Sequence, residues 1–276
     1  MGFMFEDIGF PLESGLSYMN LLHEMVEHGE IIRTESDAYV WWSPDKAIAV
    51  SAKIKEEGEL GMLRPHFIGE STTTVALVEK FAYQDAKMAD GLFVAYGNPQ
   101  KSDGEFVSKH KSLHYGDGTY SSYLPFIFDA PDYERYADLI LPALIDIKLT
   151  GFALHLYAFE SEDDWVDYQL EYDTSGEEDP YIWTGKAFVP EAMLDKREDP
   201  TRYARPKAFL AGIALDTAIL TNPLTGCDFC WARLETAIGE IEVVASPSIL
   251  DGYFVTDGVI AGDFYLSGHI VGEPDI

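Results

Sequence analysis

Two imidazoles and two carboxylates fall within His23-Glu24-Met25-Val26-Glu27-His28. Zinc held from one helix needs its histidines at i and i+4, so that both project from one face. At i and i+5 they diverge by roughly 140°. His23 with Glu27, or Glu24 with His28, keeps the i,i+4 spacing, but a solvated polar helix face accounts for the pattern more simply. Cys227 and Cys230 have CxxC spacing, yet the chain holds two cysteines in all, and a zinc ribbon requires a second pair. A redox pair opens a helix after a strand, whereas this pair enters a strand pattern. Cys230 is expected to face the core with Ala232 and Leu234, and Cys227 to lie in the preceding turn. No metal site and no cofactor are expected.

The remaining histidines differ in kind. His110 and His114 lie in HKSLHYGDG beside Lys109 and Lys111, which reads as a solvated loop. His155, inside the apolar run FALHLYAF, reads as a hydrogen-bonded core histidine. Arg64 and His66 in RPHF, between Gly61 and Gly69, are the candidate pair for a pocket that takes an anion. Trp231, Arg233 and Tyr265 are candidates for a recognition surface on strands, since aromatics with arginine suit binding interfaces, although Trp231 packing against the other lobe is the simpler reading. Catalytic residues are not assignable: the chain has no GxSxG, no GxxxxGK[ST] and no GxGxxG after a strand. That lowers the weight of the common motif-bearing enzymes without touching sites assembled from distant residues.

Charge carries more information. The 276 residues include 19 Lys and Arg against 48 Asp and Glu, a formal net charge of −29, with 47% apolar and 13% aromatic residues. Disorder goes with low hydrophobicity as well as high charge, so the acid sits on a folded surface. Nucleic acid and anionic membranes are disfavoured partners, because phosphate is repelled and counterion release does not help; a basic protein partner or divalent cations are attracted. Ten carboxylates and no Lys or Arg occupy residues 149–185. Nothing in their spacing selects a glycosidase pair or an EF-hand loop, so the window reads as a solvated acidic face. The charge reverses locally at Lys196, Arg197, Arg202, Arg205 and Lys207, read as a linker. The start, MGFMFEDIGF, is acidic where a secretory signal is basic, no apolar run reaches the ~18 residues of a membrane helix, and a cytoplasmic location is expected.

The elements that must position these groups follow from periodicity. Leu16, Met19, Leu22 and Val26 predict an amphipathic helix over 14–28, stopped by Gly29. AYVWW, AIAVSAKI, STTTVALVEKF, GLFVAYG and YLPFIF read as strands, with a polar loop from Pro99 to Gly118. DAPDYERYADLILPALI predicts a helix over 129–145 ended by Pro142, and FALHLYAF a central strand. Ser161 and Asp164 predict a capped short helix through Trp165 and Tyr168.

From Lys207 onward the order is a long strand, two more in meander, a short insert, and a last hairpin turning at Thr256-Asp257-Gly258. This order resembles the OB-fold, a small five-stranded barrel, over about a quarter of the chain; Gly212 and Gly262 sit where such barrels bend. The resemblance implies ligand binding across the second and third strands. LTNPLTG and GDFYLSGHIV are also similar to segments of an uncharacterised bacterial family, which implies no activity.

The fold expected is α+β and mainly β, with a β-rich N-terminal domain over 1–145 and a C-terminal domain over 146–276 that contains an OB-like barrel at about 207–272. The function expected first is non-enzymatic binding of a protein partner through an acidic surface. A hydrolase or metal-dependent enzyme with its pocket between the lobes, and an OB-type oligonucleotide binder, are the alternatives.

Overall fold

A computed structural model describes residues 2–11, 15–33, 38–54, 58–82, 91–97, 124–136, 138–173, 180–191 and 205–271. Two short N-terminal helices, α1 (Gly2–Glu6) and α2 (Gly15–His28), precede four strands: β1 (Glu30–Arg33), β2 (Ala38–Trp42), β3 (Ile48–Lys53) and β4 (Arg64–Phe67). These pair in sequence order as an antiparallel sheet. The buried stripe of α2 is Tyr18, Leu21, Leu22 and Met25, at i, i+3, i+4 and i+7. Met19 and Val26, expected on that face, are 60% and 68% exposed: the fuller stripe one position away wins.

The rest of the fold is one ten-stranded sheet. Its strands are β5 (Thr73–Ala82), β6 (Gly91–Gly97), β7 (Leu124–Ala130), β8 (Ala143–Phe159), β9 (Ala187–Pro190), β10 (Lys207–Thr221), β11 (Asp228–Thr236), β12 (Gly239–Ala245), the two-residue β13 (Leu250–Asp251) and β14 (Val259–Ile270), with α3 (Glu162–Glu171) between β8 and β9. Strands dominate and helices are few, so the α+β, mainly β class holds.

The pairings close two rings. β10, β11, β12, β8 and β14 form one circuit, in which β12 and β8 run parallel and the other neighbours antiparallel. β8, β5, β6, β7 and β14 form the second, closed by a single parallel bridge between Asp129 and Ser267. The long ladder of β8 with β14 belongs to both. One apolar cluster runs through the two rings, from Phe93, Phe126 and Phe128 to Leu210, Leu234, Val243 and Phe264.

Several expectations are corrected by this topology. The segment 207–272 supplies four strands of its ring, and the fifth is β8, which precedes it in sequence. The hairpin expected at 256–258 does not form: Tyr253–Val255 carry no strand pairing, and β13 pairs parallel with β8 instead. The boundary expected at residue 145 falls inside β8, and the second ring draws on strands from either side of it. No helix covers 129–145. Residues through Ala130 continue β7, a 3-10 turn spans Tyr133–Tyr136, and β8 starts directly after Pro142. Pro142 has no N–H to donate and would clash one turn back; Ile140, needed for an apolar helix face, is 86% exposed. Gly262 lies next to the bulge at Asp263 and Phe264, in keeping with the bend expected there, and a Cβ on it would collide with the His155 carbonyl oxygen. Ser161 caps α3 as expected, its hydroxyl accepting from Asp164 N at 3.1 Å.

α1 and the four-stranded sheet lie over the outer face of β11 and β12. Inward residues of these strands, Cys230, Ala232, Leu234, Ile241 and Val243, join the ring core. Outward residues Phe229 and Val244 are buried with Phe5, Phe10, Trp42 and Phe67, and Phe67 meets Phe229 edge-on at 6.1 Å.

Candidate functional site

β4 is a two-sided strand whose residues alternate in direction, as strand geometry requires. Phe67 joins the apolar layer over β11, while Arg64 and His66 reach the bridge that closes the second ring. β14 alternates likewise, presenting Tyr265, Ser267 and His269 to the same place. The Arg64 guanidinium donates to the Asp129 carboxylate, both buried. Tyr265 OH donates to the same carboxylate at 3.0 Å, and Ser267 Oγ lies 3.0 Å from His66 Nδ1. A ring closed by one bridge is thus braced by an ion pair and a hydrogen bond reaching across to the other sheet, and by the Tyr265–Asp129 hydrogen bond within its own.

The turn after β7 adds Asp132, Arg135 and Tyr136. Asp132 Oδ2 lies 2.8 Å from His269 Nδ1 and accepts from Tyr136 OH at 3.0 Å; Arg135 Nη1 stands 3.9 Å from it. Burial pushes the Asp132 carboxyl up, but the His269 hydrogen bond and charge, His66 and Tyr136 outweigh it and hold the group below the usual carboxylate range. Burial, followed by Asp132, drives the Tyr136 phenol above its ordinary value. For His66, burial first and then His269 push the imidazole down to about 3, so it is neutral at physiological pH. Its ring packs against Trp41 at 5.9 Å and His269 at 6.0 Å. Its Nε2 is buried without a hydrogen-bond partner among the described residues.

Trp41 and His269 also line a cavity of about 360 Å³, completed by Glu30, Ile32, Ile68 and Arg135. Its walls come from β1, β2, the residue after β4, the turn after β7, and β14. It therefore opens at the seam between the four-stranded sheet and the second ring. Its size is at the low end for small-molecule pockets, with apolar walls and a few polar groups as such pockets have.

Of the residues singled out from the sequence, Arg64, His66 and Tyr265 come together here. Arg64 is buried and paired with Asp129. Trp231 and Tyr265 both pack against the apolar layer beneath the four-stranded sheet, with β12 and β8 between their strands, and Arg233 lies on the surface beyond Trp231. Trp231 packs under the four-stranded sheet and donates to Glu242 Oε2 at 2.6 Å, while Glu242 Oε1 accepts from the backbone of Glu70 and Ser71. Arg233 faces Glu240 at 3.7 Å on the surface. His155 is exposed, not a core residue, while His23 and His28 are exposed on α2 beside Glu27 and Glu24. Both cysteines are free, and Cys230 is buried as expected. His110, His114, Lys196, Arg197 and Arg202 lie outside the described residues. Among the described residues no three His, Cys, Asp or Glu converge on a common point for a metal ion.

Asp129, Asp132, Ser267 and His269 were not legible as site residues. The available signal was polar residues spaced by two in the otherwise apolar GDFYLSGHIV, and an acid ending the apolar run FIF. No protein-family model matches the chain, and no curated protein or solved structure matches it significantly.

Proposed function

We propose that the protein binds a small molecule in the seam cavity and does so without catalysis. The observation that carries this is the cavity wall of Trp41, Arg135 and His269, with the His66 imidazole, whose buried Nε2 has no hydrogen-bond partner among the described residues, packed against Trp41 and His269. An unmet buried polar group costs roughly 1–3 kcal/mol, and native structures satisfy such groups with protein, water or ligand. Ser267 and His66 have the separation of a nucleophile and its base, but Ser267 is fully buried, so no substrate carbonyl reaches its oxygen. The serine instead orients the imidazole. The oligonucleotide reading loses much of its surface, because α1 and the four-stranded sheet cover the part of the outer face of β11 and β12 that carries Phe229, Trp231 and Val244.

The test is a ligand-observed NMR screen of a small-molecule library against the full chain, repeated on Ile32→Trp, which fills the cavity from its wall. Hits that compete with one another and vanish in the variant are expected. Hits that survive Ile32→Trp unchanged overturn the reading.

A second reading has its own observation. The exposed face around α3 carries Tyr172 and Tyr181, 62% and 76% exposed, with Tyr168–Tyr172 and Tyr181–Trp183 ring contacts at 4.7 and 4.8 Å. Glu160, Glu162, Asp163, Asp164, Asp167 and Glu171 surround them, all exposed. Aromatic faces beside carboxylates suit the lysines and arginines of a basic protein partner, through cation–π and Coulomb attraction.

A further inference from the structure

Resting on the reading of the seam cavity as a ligand site, we infer that its ligand is a zwitterion of the α-amino-acid class bearing an apolar or aromatic side chain. The cavity wall divides by chemistry. Arg135 supplies a guanidinium that stays charged at any working pH, 3.9 Å from the nearest Asp132 oxygen and so outside direct hydrogen-bond length. With His269 beside it, whose Nδ1 already faces Asp132, it makes the end of the cavity suited to a carboxylate. Glu30 is an exposed carboxylate that makes no ion pair among the described residues. It sits directly opposite Trp41 across the β1–β2 ladder, which places its Cβ about 5 Å from that of the tryptophan. Glu30 suits an ammonium. Ile32, Ile68 and the Trp41 ring form the apolar remainder.

Neither charge alone fits as well. A simple carboxylate leaves Glu30 facing the ligand unpaired and must also approach a molecule of net charge −29, against its whole-molecule field. A simple amine brings a positive charge against Arg135 and gives that guanidinium no acceptor beyond Asp132 at 3.9 Å. A zwitterion pairs both ends, carries no net charge, and lays its side chain on the tryptophan face.

The experiment is a titration of the full chain with three probes, L-phenylalanine, 3-phenylpropionate and phenethylamine, read by calorimetry and by the indole N–H signal of Trp41, assigned with Trp41→Phe. Phenylalanine is expected to bind at least roughly tenfold tighter than either analogue, the scale of one lost charge-assisted hydrogen bond. In Glu30→Gln the advantage over phenylpropionate disappears, and in Arg135→Gln the advantage over phenethylamine disappears. Equal binding of phenylpropionate and phenylalanine to the native chain overturns the ammonium site; equal binding of phenethylamine overturns the carboxylate site. If none of the three moves the Trp41 indole while other library members do, the amino-acid class falls and the cavity reading stands. If no small molecule moves it, both fall.

Discussion

Arg64 and Asp129 join segments 65 residues apart, and His66 meets Ser267 across 201. Removing one partner of a buried ion pair strands the other charge and typically costs 3–5 kcal/mol, whereas replacing both with apolar groups is often near neutral. Arg64→Met is therefore expected to destabilise the fold by about 3–5 kcal/mol in chemical denaturation, and adding Asp129→Leu to recover most of that loss. Arg64 and His66 were legible because RPHF is an unusual polar pair between glycines. Their partners were not, since long-range register, invisible in local pattern, decides which carboxylate and which hydroxyl they meet.

Two buried groups set the pH dependence from opposite sides. The His66 imidazole is held near 3 against an ordinary 6.5, so its contribution is present above about pH 6.5 and is lost as pH falls toward 3. Asp7 is the reverse. Burial first, with Glu6 adding, raises its carboxyl to about 8, against the opposing Ser246 N–H bond. Its contribution is full below about pH 4 and is lost as pH rises to about 8. Between pH 6.5 and 8 Asp7 acts without compensation from His66, at about 1.4 kcal/mol per pH unit. Asp7→Asn is expected to gain about 2 kcal/mol relative to the native chain between those two pH values, measured as the difference of two denaturation series. A difference independent of pH there contradicts the assignment.

At the scale of elements, what was legible followed from strong local signals: alternating or continuous apolar strands, and the Ser161 cap. What failed was choice between overlapping patterns. α2 has two apolar stripes one residue apart, and only packing against β2 and α1 selects Tyr18, Leu21, Leu22 and Met25. The stretch 129–145 has helical spacing, but Pro142 and the pairing offered by β5 turn its last three residues into the start of β8. The last barrel strand was assigned to a C-terminal hairpin because sequence neighbours usually pair. Here a seventeen-residue strand from mid-chain takes that place, and its length allows it to serve both rings.

The described residues form two strand rings sharing one ladder, with a small sheet and two helices packed on the outer face of the first ring. That arrangement puts the cavity where three separate stretches of backbone meet, which no linear motif announces. Net charge belongs to the same scale and governs how partners arrive. A lysine- and arginine-rich peptide bound at the α3 face is expected to lose affinity steeply between low and physiological salt, because surface charges are screened beyond a Debye length of about 8 Å. A zwitterion in the seam cavity, carrying no net charge, is expected to bind with little salt dependence. The most direct measurement of the central claim is the nitrogen-15 shift of His66 Nε2, followed with the Trp41 indole while a library hit is titrated into the full chain. Both signals moving together along one binding curve is the result this structure predicts. Ligand binding that leaves both unmoved, with responses confined to Tyr172 and Trp183 on the α3 face, would contradict it.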